Sequence, residues 1–114
     1  MEAIVKKALL FDFYGELLTE HQKNIYSEFI SDDIGISEIA QERGVSRQGI
    51  HDLLKRCDRI LEEYEEKLHL VEKFLKAKEL VTKINQLTVE FETTKDVLAI
   101  EEIQRLSNQV LEEF

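Results

Sequence analysis

Carboxylates, three histidines and one cysteine are the side chains of this 114-residue chain that could carry out acid–base, nucleophilic or metal chemistry. The densest acidic run spans residues 62–66. Paired carboxylates act as acid and base only where a pocket shifts their pKa values, and a run on one helix flank is typical of a solvated surface. The sequence contains no nucleophile elbow, phosphate-binding loop or dinucleotide fingerprint. We therefore expect no enzymatic activity.

The histidines and the cysteine do not have the spacing of metal ligands, so we expect no metal and no cofactor. Cys57 falls on an apolar helix face and is predicted to be a small core residue. His21 and His69 have no partner pattern for catalysis. The lone cysteine, together with the lack of a signal peptide or of an apolar run long enough for a membrane span, predicts a reducing, cytoplasmic location.

Charge divides the chain more sharply than composition does. The net charge of −9 opposes nucleic-acid binding, because an acidic protein repels phosphate at long range. Residues 46–59 are the exception, with four basic and two acidic side chains: Arg47, Lys55, Arg56 and Arg59 against Asp52 and Asp58. Because this short segment is basic within an acidic chain, it is the place where a phosphate-bearing partner could bind.

The elements that must position this segment are predicted to be helices. The chain has no proline and four glycines, and apolar residues recur at steps of three and four. We predict a first helix over residues 4–18 and a second that starts with a capping box at Thr19 and Gln22 and ends at Ser31. A turn over residues 31–35 precedes a short helix that Ser37 opens and that ends at Arg43. A helical run over residues 47–87, with a break expected near residues 67–70, a turn near Thr93 and Thr94, and a last helix from residue 94 or 95 to Glu112 complete an all-α fold.

Residues 36–55 fit a helix-turn-helix. A small residue is required where its two helices cross, and Ala40 supplies it. The turn needs a residue that can adopt left-handed backbone angles, and Gly44 supplies it. Val45 should point inward, and Ser46 should cap the second helix. The residues predicted to build the motif are Ile39, Ala40, Gly44, Val45, Ile50, Leu53 and Leu54.

The second helix of the motif should face outward with a polar set that could enter a nucleic-acid groove. The predicted nucleic-acid-binding residues are Ser46, Arg47, Gln48, His51, Lys55 and Arg56. Arginine can grip guanine through two hydrogen bonds, while lysine acts as a point charge. His51 could read a base edge or sense pH, although such a histidine is more often a plain surface residue. The alternative for the whole set is a solvated face with Asp52 paired to Arg56.

Two positions depart from the usual pattern of the motif. Arg43 stands where an apolar residue is common, and its stem could cover the core while its charged group reaches water. Gly49 lies inside the second helix, where glycine costs up to about 1 kcal/mol relative to alanine. Its lack of a side chain could allow close approach to DNA or to the first helix of the motif.

The chain is predicted to consist of a helix-turn-helix domain at residues 1–68 and a C-terminal helical arm at residues 69–114. The arm carries apolar stripes with Phe74, Phe91 and Phe114. These stripes could pack on the rest of the chain, form a dimer interface or receive a partner helix. A short arm hides little apolar surface by itself, so we favour a homodimer.

This chain resembles the YlxM family of small bacterial proteins in six short segments, namely residues 10–15 (LFDFYG), 17–20 (LLTE), 37–40 (SEIA), 44–48 (GVSRQ), 54–56 (LKR) and 64–68 (YEEKL). The resemblance covers residues 5–75 well. Within it, residues 17–65 are similar to the region-four domain of sigma factors, which reads promoter DNA with a helix-turn-helix.

The resemblance implies a sigma region-four-like fold and a DNA-binding regulatory protein that is linked to the signal recognition particle pathway. It places Arg47, Gln48, His51 and Lys55 on the DNA-facing helix. Two alternatives stay open beside this function. One is a non-catalytic protein-interaction module, and the other is an accessory that binds the RNA of the signal recognition particle. The target sequence and the direction of any regulation are not encoded in a recognisable pattern.

Overall fold

The structure is a computed structural model that describes residues 2–114. These residues form six α-helices and a 3-10 turn, with no strand between residues 2 and 114: α1 (Ala3–Tyr14), the 3-10 turn (Gly15–Leu17), α2 (Glu20–Ile30), α3 (Ile36–Arg43), α4 (Arg47–Leu68), α5 (Leu70–Thr94) and α6 (Leu98–Glu113). The all-α prediction is confirmed. The described residues divide into two compact units, unit 1 (residues 2–69) and unit 2 (residues 70–114).

The first predicted helix ends earlier than expected. The hydrophobic stripe suggested a helix to residue 18, but α1 ends at Tyr14 and continues as a 3-10 turn from Gly15. A Cβ atom at Gly15 would lie 2.8 Å from the Phe11 ring, so the chain tightens where glycine lets an aromatic ring lie against the backbone. Periodicity alone does not distinguish this tight turn from a continuing helix.

The start of α2 follows the predicted capping box. The backbone N–H of Gln22 donates to Thr19 Oγ1 at 3.2 Å, and the N–H of Thr19 donates to Gln22 Oε1 at 3.1 Å. The turn over residues 31–35 is also confirmed, and Asp33 adopts a positive φ of 55° there. The prediction that Ser37 opens α3 is wrong by one position. The helix begins at Ile36 with Gly35 as its N-cap and has no side-chain cap.

The core of unit 1 joins α1, α2, α3 and α4. Its buried hydrophobic residues among those described are Leu10, Tyr14, Leu18, Ile25, Tyr26, Ile39, Ala40, Ile50, Leu54, Cys57 and Leu61. Aromatic contacts connect α1 to two other helices: the rings of Phe11 and Tyr26 of α2 lie 5.3 Å apart, and those of Tyr14 and Tyr64 of α4 lie 6.0 Å apart. This core sets the direction in which α4 leaves the motif.

The break expected near residues 67–70 is at His69. This residue adopts left-handed angles, with φ 55° and ψ 28°, and ends α4 after 22 residues. A left-handed residue stops a helix because it turns the next N–H away from the helical ladder. The site of the break carries no glycine or proline, and the sequence therefore bounds it only approximately.

Unit 2 is an antiparallel hairpin of α5 and α6. The turn predicted near Thr93 and Thr94 lies slightly later, at residues 95–97, where Lys95 has φ 55° and Asp96 Oδ1 accepts from the N–H of Leu98 at 3.0 Å. The β-branched and polar segment before it stays helical through Thr94. Tertiary packing often overrides a weak helix propensity, and Leu87 and Phe91 of this segment are partly buried.

Candidate nucleic-acid interface

The turn of the helix-turn-helix has the predicted backbone geometry. Gly44 lies in the left-handed region, with φ 66° and ψ 33°. Its N–H donates to Gln41 O at 3.3 Å, and the N–H of Val45 donates to Ala40 O at 3.1 Å. These bonds satisfy carbonyl groups that would otherwise be unpaired at the end of α3. Ile39 and Ala40 are buried, so the crossing of α3 and α4 is close, as expected.

The prediction that Val45 points into the core is wrong. Val45 is 51 % exposed and stands at the edge of an open hollow. Gly49 lines the same hollow, which lies between α2, the turn and the start of α4, together with His21, Ile25, Arg43, Ile50 and Leu53. Gly49 has no side chain to fill this space, and the valine therefore remains accessible.

Gly49 does not bring α4 close to α3. A Cβ atom built at Gly49 would have Ser46 Oγ at 3.1 Å as its only close neighbour among the described atoms. The proposed role in helix–helix approach is therefore wrong. The other departure from the pattern, Arg43, is explained by an ion pair, because its guanidinium lies 2.8 Å from Glu28 Oε1.

Ser46 caps α4 as predicted. Its Oγ accepts from the N–H of Gly49 at 3.0 Å. The first N–H groups of a capped helix remain directed outward and attract anions. The inward face of α4 holds Ile50 and Leu54 in the core, with Leu53 partly buried. This amphipathic division fixes which side of α4 meets solvent.

The predicted binding residues all lie on the outward or flanking surface of α4. Ser46, Arg47, Gln48, Lys55 and Arg56 are exposed, and the side chain of His51 is about half exposed. One helical turn is about 3.6 residues, so Gln48 and Lys55 lie on one face of α4, whereas Arg56 is rotated about 100° from Lys55 toward a flank. By the same rule Arg47 is rotated about 100° from Gln48 toward the opposite flank, so Gln48, His51 and Lys55 share one face and Arg47 and Arg56 lie on either side of it.

One of these side chains is hydrogen-bonded to an acid on the same helix, and a second lies near that acid without a hydrogen bond. Gln48 Nε2 donates to Asp52 Oδ1 at 2.8 Å, and His51 Nδ1 lies 3.8 Å from the same oxygen. The alternative ion pair between Asp52 and Arg56 is not formed within residues 2–114. Asp52 thus occupies the middle of the outward face and restrains Gln48.

Arg59 belongs to the same surface, although it was not among the predicted binding residues. It is exposed, and it follows Lys55 by one turn. The spacing of four residues between two cations is the signal that could have identified it. Lys55, Arg56 and Arg59 line one shallow depression along α4 together with Asp52, Asp58 and Glu62.

The cations of unit 1 fall into two groups according to their partners. Lys6, Lys7, Lys23 and Arg43 lie on other helices, and each forms an ion pair with a carboxylate. The cations of α4 make no ion pair with any described residue, and they are Arg47, Lys55, Arg56, Arg59 and Lys67. The unpaired positive charge of unit 1 is therefore concentrated on the one helix that follows the turn.

The acidic and nucleophilic residues are used in structural contacts. Tyr14 donates to Glu65 Oε1 at 2.6 Å, and Tyr26 donates to Asp58 Oδ1 at 2.7 Å. Burial, and then the hydrogen bond to Asp58, raise the pKa of Tyr26. Burial raises the pKa of the Cys57 thiol to about 11, which keeps it protonated at neutral pH.

No group of three or more histidine, cysteine or carboxylate side chains suited to hold a metal occurs in the part of the chain from residue 2 onward. Over the same residues, every helix is too short or too polar to cross a membrane.

Comparison with known proteins agrees with this architecture. Residues 1–105 match the UPF0122 family model, which is described as "Putative helix-turn-helix protein, YlxM / p13 like". Similar proteins, each named a UPF0122 protein, occur in Bacillus cereus strain AH187, Bacillus anthracis strain A0248 and Bacillus thuringiensis subsp. konkukian strain 97-27. Each is 42% identical over 108 residues, which cover 93% of this chain and 98% of the relative. The chain therefore belongs to the UPF0122 family of YlxM/p13-like helix-turn-helix proteins.

Proposed function

We propose that this protein is a cytoplasmic DNA-binding regulatory protein that inserts α4 into the major groove of duplex DNA. The observation that carries the proposal is the division of charges in unit 1. Off α4, the described cations are paired with acids, whereas those on α4 are unpaired. Phosphate contacts by free lysine and arginine supply most of the non-specific affinity of DNA-binding proteins.

α4 is long enough for its outward surface to contact both base edges and phosphates. In helix-turn-helix proteins, the first turns of the recognition helix contact base edges. Arg47, Gln48 and His51 occupy these turns, and the N–H groups beside Ser46 can receive a phosphate. Lys55 and Arg59 lie further along the helix, where the groove wall presents phosphates. The acidic remainder of the chain repels DNA and restricts contact to this surface.

The first experiment titrates a fluorescent duplex with the protein at several salt concentrations. The sequence of this duplex is chosen from a pool of genomic fragments that has been selected for binding to the protein. Replacing Arg47→Ala and Lys55→Ala together should weaken binding by about tenfold or more and reduce the salt slope, since a lost base contact costs about 1–3 kcal/mol and a lost phosphate contact changes the slope by about 0.9. The matched control, Lys76→Ala with Lys83→Ala on α5, should bind as the wild type does. Absence of binding at low salt, or equal loss in both double variants, would refute the proposal.

A homodimer that joins two copies through unit 2 accompanies this function. Ile100 and Leu111 of α6 are 48% and 73% exposed, and Phe114, which directly follows this helix, is 77% exposed. Such exposure is unusual for large apolar side chains so close together. Two helical hairpins that pack face to face make a four-helix bundle, a common arrangement in dimers. A two-fold dimer would present two copies of α4 to half-sites about 34 Å apart or a multiple of it.

Sedimentation equilibrium tests the dimer. The wild type should have twice the chain mass of 13.4 kDa, and Ile100→Lys with Leu111→Lys should reduce it to 13.4 kDa. A control with Gln104→Lys and Ser107→Lys adds the same charge on the same helix at polar positions. A monomeric wild type would remove the dimer from the proposal.

Binding to the RNA of the signal recognition particle is a second candidate, and Asp52 favours it. An acid in the middle of the outward face, bonded to Gln48, disfavours direct contact with base edges. A surface that relies on phosphates and shape can bind double-stranded RNA, whose major groove is too narrow for side chains to read. Competition between unlabelled particle RNA and the labelled duplex separates the two functions. Preferential displacement by RNA, which a random RNA of equal length does not reproduce, would favour the second candidate. A protein-only partner would be indicated by complexes that survive nuclease treatment.

A further inference from the structure

Two lysines of α1 lie against the acidic end of the α4 surface. Lys7 Nζ is 3.3 Å from Asp58 Oδ2, and Lys6 Nζ is 3.6 Å from Glu62 Oε1. The two acids are four residues apart and therefore lie one turn apart on α4. Consecutive residues of α1 thus place both of their ammonium groups along the same edge of α4.

These lysines change the charge balance of the depression on α4. The depression is lined by three cations (Lys55, Arg56 and Arg59) and three acids (Asp52, Asp58 and Glu62). By itself this lining has no net charge, so its three acids offset the attraction of Lys55, Arg56 and Arg59 for a phosphate backbone. Lys6 and Lys7 pair with two of the three acids, so the depression together with these two lysines has more cations than acids.

The ion pairs of these lysines are open to exchange. The side chains of Lys6 and Glu62 are each 51% exposed, and exposed ion pairs hold their partners weakly. A phosphate that approaches the edge can accept from the lysine in place of the carboxylate. Asp58 differs, because its Oδ1 also accepts a hydrogen bond from the Tyr26 hydroxyl of α2 at 2.7 Å, which restrains this carboxylate.

We propose that Lys6 and Lys7 of α1 form a second phosphate-contact strip, continuous with Lys55 and Arg59 of α4, along which a nucleic-acid backbone runs. Glu62 competes with phosphate for Lys6 and so limits the affinity of the strip. This inference rests on the proposed nucleic-acid function and extends it from the recognition helix to α1.

The test measures the salt dependence of duplex binding by the full-length protein. Lys6→Gln with Lys7→Gln should reduce the magnitude of the slope of log K against log salt by about 0.9 for each lysine that contacts a phosphate. Glu62→Gln should have the opposite effect, with tighter binding and a steeper slope, because Lys6 is freed and a surface acid is removed. If the ion pairs of Lys6 and Lys7 only stabilised the fold, both variants would bind the duplex as the wild type does or more weakly.

Lys23 and Glu16 provide the matched control. They form an exposed pair at 2.6 Å, and the carboxylate belongs to the 3-10 turn rather than to α4. Lys23→Gln and Glu16→Gln should leave the slope at the wild-type value. If Lys6→Gln with Lys7→Gln matches this control while the α4 variants lose binding, the α1 strip is refuted and the function of α4 stands. If the wild type does not bind nucleic acid at low salt, both fall together.

Discussion

Unit 1 and unit 2 differ in how much of their apolar surface they cover. Most of the buried hydrophobic residues between residues 2 and 114 belong to unit 1, and unit 2 contributes Val71, Leu80 and Leu106. Unit 1 packs helices against α4 from several directions, whereas a hairpin of two helices can bury only the face between them. Similar apolar stripes in sequence therefore lead to a closed core in one unit and an open face in the other.

Truncation of one buried and one exposed side chain tests this difference between the two units. Leu61 is fully buried in unit 1, and Val89 of unit 2 is 59% exposed. Leu61→Ala should lower the free energy of unfolding by about 2–5 kcal/mol through lost burial and the cavity that remains. Val89→Ala should change it by less than about 0.5 kcal/mol. Urea unfolding followed by circular dichroism gives both values, and equal losses would contradict the contrast between the units.

The turn of unit 1 is tested by adding a methyl group to its left-handed residue. Gly44→Ala forces a side chain into φ 66° and should cost about 1–2 kcal/mol of unfolding free energy. Gly35→Ala is the matched control, since Gly35 has φ −69° and open space around its Cα. If the two substitutions had comparable effects in urea unfolding, the left-handed backbone angles at Gly44 would not disfavour an added side chain.

Substitution of the two serines near the helix starts of the motif should have a smaller effect on stability, and the effect should differ between Ser46 and Ser37. Ser46→Ala removes the bond to the N–H of Gly49 and should cost about 1 kcal/mol. Ser37→Ala should be nearly neutral, because Ser37 lies inside α3 and Gly35 is the N-cap. Thermal unfolding of the two variants tests the assignment, which a larger loss from Ser37→Ala would overturn.

Cys57 reports on the closed core of unit 1 through the reactivity of its thiol. Because burial raises its pKa from 9.0 to about 11, the native thiol should resist iodoacetamide at pH 8 and react once the protein is unfolded. The raised pKa also determines the direction in which stability changes with pH. The unfolded thiol ionises first, so its contribution to stability is complete below about pH 9 and is lost as the pH rises toward 11. Cys57→Ala should therefore show a shallower fall in stability over that range. Rapid alkylation of the native protein would contradict its burial.

Local signals predicted most of unit 1. The capping box at Thr19 and the glycine turn at Gly44 depend on hydrogen bonds and backbone angles within a few residues, and both occur as predicted. Val45 and Ser37 were misplaced because their positions depend on where a neighbouring helix begins or leaves space. The end of α1 at Tyr14 and the turn after Thr94 were shifted for a similar reason, since a regular apolar period does not mark where a helix tightens or stops.

The amino-acid sequence alone predicts that this chain is helical, that residues 36–55 form a helix-turn-helix, and that basic side chains cluster after the turn. These properties follow from residue types and spacings along one segment. Which cations are neutralised depends on contacts between helices. Ion pairs such as those of Lys7 with Asp58 and of Arg43 with Glu28 join residues of different helices that meet only in the folded chain. Because these contacts use the lysines and arginine of the other helices, the free positive charge of unit 1 remains on α4.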